Sequence, residues 1–221
     1  SADAMRFEGQ SLLTMKPAER RKLCGRDIGM ILQDPKYSLN PVMSVAKQMK
    51  EAFHLREPQL KGAQLHERMV HALEAVHIRD PERVLKAYPH ELSGGMGQRV
   101  MIAMMVSSGP RLLIADEPTS ALDVLVAEQT LRVMDEMIAQ HNTGLIFISH
   151  DLGLVSSFCD RVLVMYGGQV MESCAARDLQ HASHPYTRGL LAASPQLGTA
   201  QPWLPTMQRD PAWLNTAGVN A

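Results

Sequence analysis

The sequence predicts an α/β fold with an all-helical lobe inserted into it, and three observations carry that prediction. Four short apolar runs, 28–32, 112–115, 145–148 and 162–165, have the length and polar boundaries of buried strands. Between the last three lie segments whose apolar residues recur at helical spacing. From 44 to 85, no strand-like run occurs, and only Pro58 and Pro81 break a helical pattern. Alternating helices and near-continuous apolar strands imply a sheet covered on both faces. Such sheets bind ligands beyond the carboxyl ends of their strands. Gln33, Asp116-Glu117 and Ser149-His150 stand at those ends.

Taken in order, residues 1–26 are polar, and their basic cluster Glu19-Arg20-Arg21-Lys22 reads as a solvated helix face. The strand at 28–32 ends at Gln33, and 34–41 (DPKYSLNP) is turn chemistry. Ser44 is a candidate N-cap for a helix reaching Phe53. Leu65, Met69, Leu73 and Val76 form a helical stripe. Tyr88-Pro89-His90-Glu91 bends the chain into Ser93-Gly94-Gly95, which opens a helix over 96–108. Ala127, Leu131, Met134 and Ile138 give the next helix its apolar face, and Asn142-Thr143-Gly144 ends it. A short helix at 152–158 follows the third strand. Gly167-Gly168 turns the fourth into a partner at 169–172. One more helix is expected at 186–193, with irregular Pro-rich chain after it.

Composition narrows the function classes. With 221 residues, 45% of them hydrophobic, the chain can bury a sizeable core. A net charge of −1 and 5% aromatics argue against a nucleic-acid surface. Cys24, Cys159 and Cys174 are too scattered for a zinc site or a disulfide framework, and read as reduced thiols of a cytosolic protein. No apolar run has the length of a membrane span, and no secretory leader pattern heads the chain. Work at a membrane would go through a partner.

Two constellations carry chemistry. Successive backbone N–H groups at Ser93-Gly94-Gly95, at a helix N-terminus, suit a phosphate. An ordinary helix cap is the alternative for those three residues alone. Asp116 and Glu117 close an apolar strand, and Pro118 fixes the turn behind them. Magnesium takes one or two carboxylates and keeps waters, so Asp116 is an apt ligand. A neighbouring carboxylate such as Glu117 can polarise an attacking water. A solvated strand end is the alternative. His150 is a candidate hydrogen-bond donor to a terminal phosphate, and Gln33 a candidate contact to the metal or the water.

Five motifs in order resemble those of ABC transporter ATP-binding subunits. They are Gln33 in ILQDP, LSGGMGQR at 92–99, LLIADEP at 112–118, SALD at 120–123 and His150 in FISHD. They are similar to that family's Q-loop, signature, Walker B, D-loop and switch histidine. SLNP at 38–41, YPHELSGG at 88–95 and HPYT at 184–187 resemble the peptide and nickel uptake branch. The resemblance implies a P-loop NTPase-like, RecA-type core, incomplete at its N-terminus, with an inserted α-helical subdomain. It divides the chain into 1–43 (core up to the Q-loop), 44–90 (helical subdomain), 91–182 (core with the remaining motifs) and 183–221 (C-terminal extension).

Function follows from the same resemblance. It implies ATP hydrolysis with Mg2+, powering di- or oligopeptide import, with nickel as the other substrate. Glu117, His150 and Gln33 would be catalytic. Asp116 and Gln33 would face the metal. Ser93, Gly94, Gly95 and Gln98 would contact a nucleotide held by a second ATP-binding subunit, and Asp123 would lie at that dimer interface. Transmembrane permease subunits would be direct partners and an extracytoplasmic substrate-binding protein an indirect one, placing the chain at the cytoplasmic face of the membrane.

The sequence departs from the family at one essential point. No GxxxxGK[ST] phosphate loop occurs in the 221 residues. Truncation and true degeneration are the two explanations, and either leaves the chain alone a poor ATP binder. A degenerate subunit would only lend its signature motif to a partner. Gly97 is a smaller oddity, since glycine costs about 1 kcal/mol in a helix interior.

Overall fold

The computed structural model describes residues 3–33, 38–120, 122–194, 210 and 213. The turn expected at Asp34-Pro35, Ala121 of SALD, and nearly all of the Pro-rich tail lie outside them. Two compact units follow one another, Ser1–Ile148 and Ser149–Ala221.

The first unit is built on a parallel sheet of β3 (Ile28–Ile31), β4 (Leu112–Asp116) and β5 (Gly144–Ile148), in the order β3-β4-β5. Register pairs Ile31 with Ala115, and Asp116 with Ile148. One face carries Gly29, Ile31, Leu113 and Ala115, all buried. Gly29 lets the packing close tightly there: a Cβ would stand 3.3 Å from both Leu113 Cδ1 and Pro110 Cγ. The other face departs from the expectation that helices cover both sides. Met30 is 46% exposed, Ile146 49% and Ile148 46%. Strand residues alternate between faces. These three share register with Ile114 and Asp116, on the face turned away from the buried side chains.

The buried face belongs to a helical core. The helix α5 (Gly94–Ser107) packs against β3, and its Val100, Met101, Ile102, Ala103 and Val106 are all buried. A helix apolar around its whole circumference must sit in a core. It also packs on α2 (Val45–His54), α3 (Gly62–Ala75) and α6 (Val124–His141). With α4 (Pro81–Lys86), α2 and α3 make up the predicted helical lobe. Leu65, Met69, Leu73 and Val76, the predicted stripe, are buried. Burying each such side chain contributes roughly 1.5–3 kcal/mol. Ser44 does occupy the α2 N-cap, but its hydroxyl makes no capping bond. Gln48 holds this corner instead, donating to Asn40 O and Met43 O and accepting from Asn40 N. At the far end α6 stops at Asn142, in left-handed conformation, as the sequence predicts.

At the N-terminus, α1 (Pro17–Leu23) has no buried residue, in keeping with a solvated basic helix. Before it, β1 (Arg6–Phe7) and β2 (Gln10–Ser11) form a hairpin that the sequence reading missed.

In the second unit, α7 (Leu152–Phe158) precedes an antiparallel hairpin of β6 (Arg161–Tyr166) and β7 (Gln169–Ala175). A 3₁₀ segment (Ala176–His181) leads to α8 (Pro185–Ala193). Buried Glu172 accepts hydrogen bonds from Ser183 N, Ser183 Oγ and His184 N, tying the start of α8 to β7. Burial alone would raise its pKa. The bonds from His184 and Ser183 outweigh that and hold it below the usual glutamate value.

Candidate functional site

The parallel sheet gathers the first unit's candidate residues at one edge. Gln33 follows β3, Asp116 ends β4, and Glu117 comes next, so all three leave the carboxyl edge together. Glu117 has φ +48°, the left-handed region that non-glycine residues rarely occupy. Two hydrogen bonds hold this turn from either side. The Glu117 N–H donates to Ile148 O on β5 at 2.9 Å. The Gln98 Nε2 of α5 donates to Pro118 O at 2.6 Å. A third link joins the turn after β4 to the residue beyond β3, where the Ser120 hydroxyl donates to Gln33 O at 3.4 Å. Ser120 and Gln33 stand 87 residues apart in sequence, so no local pattern marks this contact.

The Ser93-Gly94-Gly95 turn lies at the N-terminus of α5. Ser93 is exposed and its Oγ accepts from Met96 N, so it is a true helix cap. Gly94 is exposed as well, and a Cβ there would meet nothing within 4 Å. Neither packing nor a positive φ within this chain calls for glycine at that position. Gly95 is half-buried in the first turn.

Gln98 is 0% exposed, its amide group turned into the core, where Nε2 donates to Pro118 O. Helical spacing explains the placement: five residues past Ser93, Gln98 falls on the face of α5 that meets the strand-end turn. Asp123 caps α6 by accepting from Val126 N, and it is exposed. His150 is the second residue of the second unit and is exposed. Next to it, Asp151 caps α7.

Arg99 went unremarked in the sequence reading. Its guanidinium donates to Val76 O and His77 O at the end of α3, and to Gly95 O. Burial lowers its pKa; nearby Asp123 pulls it up and Arg79 pushes it down. It lines a cavity of about 680 Å3 with Met96, Arg79, Arg83 and Gln129.

The donor set fits magnesium. Among the described residues no cluster of three or more His, Cys, Asp or Glu could cage a metal. A half-buried pair of carboxylates at a strand end is what a hydrated Mg2+ uses.

The ABC transporter sequence profile matches residues 1–120, more than half of the chain. The chain belongs to the ABC transporter family. Among curated ABC relatives, the dipeptide transport ATP-binding protein DppD of Haemophilus influenzae is 43% identical over 209 residues, covering 94% of this chain and 63% of the relative. The oligopeptide transport ATP-binding protein OppD of Bacillus subtilis is 47% identical over 192 residues, covering 86% of this chain and 53% of that one. The chain thus spans between half and two thirds of the length of these two ABC proteins. In fold, it is similar to the ATP-binding cassette MJ0796 in a post-hydrolysis state bound to ADP and Pi, with TM-score 0.70 at 22% identity, covering 77% of this chain and 72% of that one. It is also similar to cbiO1 of Clostridium perfringens, part of the ABC transporter complex cbiONQ, with TM-score 0.63 at 26% identity, covering 80% and 67%. The predicted ABC ATPase fold, a P-loop NTPase core with an inserted helical subdomain, therefore stands.

Proposed function

We propose that this chain forms part of the ATP-hydrolysing subunit of an importer for dipeptides or oligopeptides. The observation that carries the reading is the shared sheet edge of Gln33, Asp116 and Glu117, with the Glu117 turn held at both ends. The names of the relatives, dipeptide and oligopeptide transport, support the substrate class. When bound, magnesium neutralises charge on the terminal phosphates of ATP. Asp116 is the residue to hold it, with the Gln33 carboxamide nearby along the same edge. Glu117 accepts a hydrogen bond from the attacking water and polarises it. His150 donates to the terminal phosphate. Ser93, Gly94 and Gly95 present helix-terminal N–H groups to a nucleotide held by a second ATP-binding subunit. Asp123 lies on the interface with that subunit. Permease subunits bind the chain at the cytoplasmic face of the membrane, and a substrate-binding protein delivers peptide to them. No helix among the described residues is long and apolar enough to cross the membrane itself.

The test is Glu117→Gln in the assembled transporter. Turnover falls by about 10²-fold or more while ATP binding persists; unchanged turnover overturns the role of Glu117. These 221 residues alone should bind ATP weakly, because they contain no GxxxxGK[ST] to hold the β- and γ-phosphates. Calorimetric titration giving a micromolar dissociation constant overturns that expectation.

A further inference from the structure

The one fully buried polar side chain of α5 whose amide reaches the catalytic turn is Gln98. Its Nε2 donates to Pro118 O at 2.6 Å, and its Oε1 is buried with no partner among the described residues. Leaving a buried acceptor unmet is unfavourable, and so is holding Glu117 at φ +48°. Both costs fall on the same short stretch. The left-handed residue therefore needs its two sides fixed, and they are fixed by different elements. β5 holds the Glu117 N–H through Ile148 O, and α5 holds the Pro118 carbonyl through Gln98. α5 is also the helix whose first turn is Ser93-Gly94-Gly95.

We propose that Gln98 is a positioning residue: it sets the Glu117 carboxylate from within α5 and so couples the signature turn to the hydrolytic turn of the same chain. The proposal takes the role of Glu117 from the function proposed above. A small movement of α5, such as engagement of its N-terminus by a ligand, is delivered to Pro118 by a rigid, fully buried side chain. Gln98 itself touches no substrate.

Amide hydrogen exchange on the 221-residue chain tests the geometry without reference to turnover. In Gln98→Met, which keeps length and volume but removes the donor, the Glu117 amide exchanges about tenfold faster while amides in the middle of β5 and α5 keep their rates. Met101→Ala, a buried apolar truncation three residues further along the same helix, supplies the control: it raises exchange throughout the unit. A Glu117 rate that is unchanged in Gln98→Met, or that rises only in step with the whole unit, overturns the proposal. Should Gln98→Met fail to fold, the wild-type chain still decides: its Gln98 side-chain amide protons are protected, and exchange as fast as that of an exposed glutamine overturns the contact. In the assembled transporter, Gln98→Met lowers kcat and leaves KM for ATP unchanged; a raised KM with kcat intact overturns the positioning role. A wild-type assembly without turnover would count against the proposed activity alone and leave the exchange result standing.

Discussion

The two faces of the parallel sheet are made of the same kinds of residue and have opposite fates. On one, Leu113 and Ile31 are 0% exposed; on the other, Met30, Ile146 and Ile148 are each nearly half exposed. Composition cannot distinguish them, since β4 reads Leu-Leu-Ile-Ala before its aspartate. What distinguishes them is whether a helix is available, and α5 is available to one face only in the described structure. Hydrophobicity makes burial favourable. The partner decides whether burial happens.

That contrast is sharpest for Leu113. Leu113→Ala should cost ~2–5 kcal/mol, the usual range for a core truncation, read by urea denaturation of the chain. A loss as small as that of a surface substitution would break the distinction between the faces. Next in size is a polar residue at a buried position of the β6–β7 hairpin, Glu172, with its three bonds to the start of α8. Glu172→Gln should cost ~1–3 kcal/mol at neutral pH, as hydrogen bonds to a charged group do. Because its folded pKa is depressed, the unfolded chain binds the proton more readily, and the stabilisation is present above the unfolded value. It is lost as pH falls through the lowered folded value, so wild type and variant should converge in acid. A gap that widens in acid would refute the ionised, bonded state. Gly29→Ala, whose methyl would meet Leu113 and Pro110 at 3.3 Å, should cost about 1 kcal/mol through overpacking. A stabilised variant would show that the buried face has slack. Smallest is Ile146→Thr on the open face, within ~0.5 kcal/mol. A larger loss would show that face to be covered in solution.

Much of this architecture was legible in the sequence, and the failures have physical causes. The strands β3 to β6 and the helix α7 were found because apolar runs bounded by charge leave few alternatives. The end of α6 was legible because asparagine tolerates the left-handed cap that Asn142 adopts. The hairpin of β1 and β2 escaped because two-residue strands hold no periodicity, and only Gly9 in its turn marked it. Which side of the sheet is covered was not written in the strands at all. At the site, the strand-end positions of Gln33, Asp116 and Glu117 could be read from order alone. The inward turn of Gln98 could not, because a glutamine on a helix carries no sign of what it faces.

Arg99 has a mechanical consequence. Its guanidinium caps the last carbonyls of α3, at Val76 and His77, from a neighbouring helix. A cation there also meets the negative end of the α3 dipole. The helical lobe is thereby bolted to α5 at its far end. Apolar packing and a charged contact thus join the lobe to the same helix that packs on the sheet.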